Sequence, residues 1–121
     1  MARGGFSRGL AEKEANAMKI YGLKTCDTCR KAVKTSGAAL VDVRENPLTA
    51  AELERFWAAF GEALVNRKST TWRGLSEAER AGEPMALLAE HPTLMKRPVV
   101  ERDGQLWLGW GPEVRAELGF A

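Results

Sequence analysis

The sequence is poor in the residues that build covalent and metal frameworks. It holds two cysteines and one histidine in 121 residues. That excludes the multi-bridge scaffold of small secreted proteins, and two sulfurs alone do not complete a four-ligand zinc site. No metal site is expected. An excess of one charge is also missing: 18 Lys and Arg stand against 16 Asp and Glu, a net charge of +2. The field of the whole molecule therefore attracts a phosphate backbone weakly, and direct nucleic-acid binding is not expected. No apolar run approaches the roughly 20 residues of a membrane-spanning helix, so no membrane partner is expected and the cytoplasm is the expected compartment. What is present is 45% hydrophobic and 28% charged residues, the composition of one globular domain.

Residues 1–17 are rich in Gly, Ala, Arg and Glu and show neither a periodic apolar face nor a signal-peptide core. They are expected to be a disordered N-terminal extension. The domain is expected over 18–121, and a monomer is expected. Lys19 to Leu23 reads as a first strand, and Thr25 to Lys34 as a helix that Gly37 stops. Ala39 to Val43 reads as a second strand. Thr49 with Glu52 makes a capping-box pattern ahead of a helix whose Leu53, Phe56, Trp57 and Phe60 share one face. Ser76 with Glu79, and Pro84 ahead of Met85 to Leu88, mark two more short helices. Asp103-Gly104 between two apolar runs signals a hairpin, and Pro112 to Leu118 a last helix. This order, strand, helix, strand, helical middle, hairpin, helix, predicts an α/β fold. Its core would be a four-stranded mixed sheet with flanking helices and a helical insertion between a βαβ and a ββα half.

The chemistry is concentrated in Cys26-Asp27-Thr28-Cys29. A cysteine where a strand hands over to a helix faces unpaired N–H groups and the positive end of the dipole, which favours the thiolate. Lys24 and Arg30 add positive charge nearby. Cys29, one turn on, has the spacing to resolve a mixed disulfide formed at Cys26. Asp27 is read as the cap of this helix, His91 as a surface residue at a helix end, and the tryptophans mainly as packing groups.

Three segments resemble the arsenate reductase (ArsC) family of thioredoxin-like proteins, in particular its YffB and Spx branches. They are Tyr21 to Ala32, Leu64 to Trp72 and Lys96 to Val100. The resemblance implies a thioredoxin-like fold with Cys26 as the catalytic cysteine, Arg97 as an oxyanion-binding arginine and Pro98 as a cis-proline facing the thiol. A mid-chain arginine falls on Arg67 or on Lys68, according to the alignment of the loop. Lys24 completes the candidate substrate-binding set. The family's arsenate reductases carry another arginine after the hairpin, where this chain has Leu108-Gly109-Trp110-Gly111. The first helix is also about one turn short. The YffB-like Thr70-Thr71-Trp72 segment implies a thiol-dependent reductase with glutathione as co-substrate and no tightly bound cofactor. Its substrate would be a small thiol or oxyanion, or a protein disulfide. The alternative is an Spx-like regulator that docks on RNA polymerase and uses the two cysteines as a switch.

Overall fold

The computed structural model describes residues 18–120, so the expected disordered extension, 1–17, lies outside the described residues. β1 (Met18–Gly22) pairs in parallel with β2 (Ala39–Asp42) and antiparallel with β3 (Val99–Arg102), which pairs antiparallel with β4 (Gln105–Leu108). The order β2-β1-β3-β4 is the mixed sheet the sequence predicts. Alternation along the two central strands divides the core. Ile20 and Val100 face one cluster with Ala32, Trp110 and Leu118; Tyr21 and Val99 face a larger one with Phe56, Leu64, Leu94 and Met95. The apolar residues of β1 and β3 thus serve both faces of the sheet, while Lys19 of β1 is exposed and Glu101 and Arg102 of β3 are half-buried.

α1 (Asp27–Ser36) ends at Gly37, whose φ of 74° lets its N–H reach the Val33 carbonyl. Two local details differ from expectation. The helix starts at Asp27 with Cys26 as its N-cap, and Asp27 does not cap it. Asp27 lies one residue past the N-cap position, and its carboxylate pairs instead with Lys31 at 3.3 Å.

The insertion begins with α2 (Ala50–Phe60), which carries the expected capping box: Glu52 N–H donates to Thr49 Oγ1 at 3.1 Å, and Thr49 N–H to Glu52 Oε1 at 2.9 Å. Leu53 and Phe56 are buried, while Trp57 and Phe60 pack half-buried at the margin of the core. A 3-10 turn (Gly61–Leu64), α3 (Thr70–Arg73), α4 (Glu77–Arg80), α5 (Pro84–Glu90) and a second 3-10 turn (Pro92–Leu94) follow. This middle is tied down next to the site. Val65 bridges Met95, Asn66 N–H donates to the Leu94 carbonyl at 2.9 Å, and Lys96 N–H to the Leu64 carbonyl at 2.8 Å. The hairpin turns at Asp103 (φ 52°) and Gly104 (φ 80°), the left-handed pair that a tight two-residue turn requires. α6 (Pro112–Leu118) closes the chain.

Candidate active site

Cys26 stands at the end of a tight turn from β1: its N–H donates to the Leu23 carbonyl at 3.0 Å, and its own carbonyl accepts from Arg30 N–H at 3.0 Å. Its backbone is extended (φ −84°, ψ 123°), which leaves the half-buried thiol beside the open first turn of α1. The thiol closes no full capping hydrogen bond. Burial is the largest influence on it and pushes its pKa up. The backbone N–H and thiol of Cys29, with the Arg97 guanidinium acting through a hydrogen bond and its charge, outweigh that effect, so the net shift is downward. Cys29 is the opposite case. It is fully buried, and burial pushes its thiol up to about 12, against the opposing N–H of Leu23 and the charge of Arg97. The two free thiols one turn apart are therefore inequivalent: one favours the thiolate and the other keeps its proton.

Gly22 makes this arrangement possible. A Cβ built on it would lie 2.2 Å from Cys29 Sγ and 3.2 Å from Cys29 Cβ. Only a residue without a side chain lets α1 lie this close to β1.

Arg97 and Pro98 come from the other half of the sheet. The Arg97–Pro98 peptide is cis, Pro98 is buried, and its carbonyl accepts from Gly109 N–H at 2.7 Å. Arg97 Nη1 donates to the Thr93 carbonyl at 2.7 Å, and the Thr93 hydroxyl pairs with that of Thr71 at 2.7 Å. The helical insertion thus anchors the arginine that acts on Cys26. Arg97 Nε is buried and has no partner among the described residues.

The other expected site residues lie elsewhere. Lys24 is exposed and its ammonium pairs with Glu45. Its backbone N–H donates to Asp42 Oδ2 at 2.9 Å; that bond, with those from the Arg44 and Glu45 N–H groups, holds the Asp42 carboxyl below its usual range. Lys24 thus fastens the turn after β1 to the end of β2. Arg67 pairs with Glu62 and stacks 5.3 Å over the Trp72 ring, while Lys68 is exposed in the turn beside it. The structure brings together Cys26, Cys29 and Arg97, with Pro98 following the arginine through the cis peptide, and engages Lys24 and Arg67 with other partners.

An open cleft of about 630 Å³ is lined by Thr28, Lys96 and Arg97, by Gly109, Trp110 and Gly111 after β4, and by Glu113 and Glu117 of α6. Sequence reasoning missed Gly22, Thr93, Lys96 and Glu113. An isolated glycine in a strand is a signal for Gly22; nothing local marks the others. Among the described residues there is no group of three or more potential metal ligands, and no helix is long and apolar enough to cross a membrane.

A four-stranded mixed sheet carrying a helix-capping cysteine opposite an Arg-cis-Pro corner defines a thioredoxin-like protein of the arsenate reductase type. The ArsC family model matches residues 21–118, and the chain belongs to the ArsC family. It is 38% identical over 116 residues to an uncharacterized protein of Haemophilus influenzae, covering 84% of this chain and 97% of that one. The solved structure of the YffB protein is 30% identical with a TM-score of 0.73, over 86% of this chain and 99% of that one. An arsenate reductase (ArsC) related protein from Brucella melitensis is 36% identical with a TM-score of 0.64, over 84% and 92%.

Proposed function

We propose that this arsenate reductase-like protein is a glutathione-dependent thiol reductase whose nucleophile is the Cys26 thiolate. The observation that carries the reading is the inequality of the two thiols: Arg97 and the start of α1 favour the Cys26 anion, while burial under Gly22 keeps Cys29 protonated. Cys26 Sγ attacks the glutathione sulfur of a mixed disulfide, forming a Cys26–glutathione disulfide, and the other thiol leaves as its thiolate and takes a proton from water. A second glutathione thiolate attacks the glutathione sulfur of that adduct. Oxidised glutathione leaves and Cys26 returns as the thiolate, so one glutathione thiol is oxidised for each substrate thiol released, the second sulfur of the oxidised glutathione having come from the mixed disulfide. Cys29 is a poor resolving group at neutral pH because its proton is held and its sulfur is covered, which leaves resolution to a thiol from solution.

Arsenate suits the site less well. A compact dianion needs several convergent donors, and in this chain Arg97 faces Leu108-Gly109-Trp110-Gly111 where the family resemblance implies a further arginine. The test is steady-state turnover of a glutathione mixed disulfide and of arsenate by the wild type, Cys26→Ser and Cys29→Ser. The expected result is turnover of the disulfide that Cys26→Ser abolishes and Cys29→Ser retains, with little arsenate reduction. Turnover that survives Cys26→Ser, or arsenate reduced faster than the disulfide, refutes the proposal.

A further inference from the structure

The cleft beside Arg97 is lined by charges of both signs. Lys96 is exposed, in no ion pair among the described residues, and Arg97 Nε lies buried without an acceptor. From α6 comes Glu113, exposed and likewise in no ion pair among the described residues. Glu117, one turn on, is held by Trp107 Nε1–H at 2.9 Å. Leu108, Trp110, Pro112 and Val114 also line the cleft, with Gly109 and Gly111 set among them. A Cβ built on Gly109 or Gly111 meets nothing within 4 Å, so the stretch after β4 leaves its backbone open to a ligand. The volume, about 630 Å³, lies in the range of small-molecule sites.

We propose that this cleft receives the non-reacting part of the thiol substrate, and that Glu113 is a specificity-determining residue that recognises a free ammonium group on it. The inference rests on the reading of Cys26 as the exchange nucleophile and deepens it by naming the group that is recognised and the residue that recognises it: the α-ammonium of a zwitterionic peptide thiol, and Glu113. Complementarity excludes the alternatives. An inorganic oxyanion would satisfy Arg97 and Lys96 but would be repelled by the carboxylates of α6, and a purely apolar thiol would leave charges of both signs unmatched. A ligand with charges of both signs satisfies both sets of groups. Its carboxylate meets Lys96 and the orphan N–H of Arg97, its peptide lies along Gly109 and Gly111, and its ammonium reaches Glu113. Glutathione has these groups in one molecule.

The test separates binding from chemistry. Calorimetric binding of S-methylglutathione, which cannot react, and of its N-acetylated form would be compared for the wild type, Glu113→Gln and Glu113→Asp. Turnover of the corresponding mixed disulfides would be measured in parallel. The wild type is expected to bind the free-ammonium ligand about tenfold more tightly than the N-acetylated one, a typical effect of one charge-assisted contact at a solvated site. Glu113→Gln should erase that preference without weakening binding of the N-acetylated ligand, and Glu113→Asp should restore part of it. No binding of S-methylglutathione, or an equal loss for both ligands in Glu113→Gln, overturns the proposal. Ammonium-selective binding without any turnover would refute the reductase reading and leave the cleft assignment standing.

Discussion

Replacing Gly22 with Ala tests the packing that separates the two thiols. The added Cβ would sit 2.2 Å from Cys29 Sγ, where carbon and sulfur normally rest at roughly 3.5 to 4 Å, so about 1.5 Å must be recovered by movement. β1 has little freedom to move. Gly22 is in register with Asp42, and its carbonyl accepts from Val43 N–H at 2.9 Å. Overpacking of this kind costs about 1 to 3 kcal/mol, and the rigidity of both sides places this case at the upper end. The gain from removing a strand glycine, about 0.5 to 1 kcal/mol, offsets part of it. A net loss of about 2 kcal/mol corresponds to a fall in Tm of roughly 8 to 16 °C for a domain of this size. The loss should shrink in a Cys29→Ala background, where the sulfur is gone and the remaining contact is the Cys29 Cβ at 3.2 Å. Thermal unfolding of the two single variants and the double variant completes the cycle. A Gly22→Ala variant as stable as the wild type, or one equally destabilised with and without the Cys29 sulfur, refutes the packing argument.

Two further predictions concern charge. Arg97→Ala removes a hydrogen bond and a positive charge that favour the Cys26 thiolate, so the pH midpoint of Cys26 alkylation should rise; Arg97→Lys should recover part of the shift, since an ammonium keeps the charge and loses the fork. Equal midpoints in Arg97→Ala and the wild type would remove the arginine from the site. The second follows from linkage. Cys29 keeps its proton to about 12 when folded, whereas an unfolded cysteine releases it near about 8.5, so the unfolded state binds fewer protons above that pH and stability must fall as pH rises. Between about pH 8.5 and 10 the slope should approach about 1.4 kcal/mol per pH unit, and Cys29→Ala should flatten it in denaturant titrations. Cys26, shifted downward, adds no slope once both states are ionised, and Tyr21, raised by burial and by Glu101, enters only above about pH 10. An identical slope in Cys29→Ala would contradict the assignment.

The parts of the fold set by short-range rules were legible in the sequence. The capping boxes at Thr49 and Ser76, the stop at Gly37 and the hairpin at Asp103-Gly104 depend on neighbours within a few residues, and each is where the pattern puts it. Asp27 was misread because a one-residue shift in the helix start moved the N-cap to Cys26. The partners of charged side chains were not legible. Whether Lys24 turns toward Cys26 or away is decided by Glu45, which the fold of β2 brings beside it, and Arg67 is likewise engaged by Glu62 and Trp72. The meeting of Arg97 with Cys26 depends on the pairing of β3 with β1, and family resemblance, not local pattern, pointed to it. The Thr71 and Thr93 anchor left no trace in spacing because it joins two parts of the insertion through side-chain hydroxyls.

The central claim is that, of the two thiols, Cys26 is the one that favours the thiolate. Its most direct test is site-resolved alkylation of the reduced wild-type protein with iodoacetamide across pH 5 to 10, each cysteine followed by peptide mass spectrometry. The account predicts that Cys26 is modified with a midpoint below the ordinary value of about 8.5 while Cys29 stays unmodified in the folded protein. Modification of Cys29 at a rate equal to or above that of Cys26 at neutral pH would contradict it.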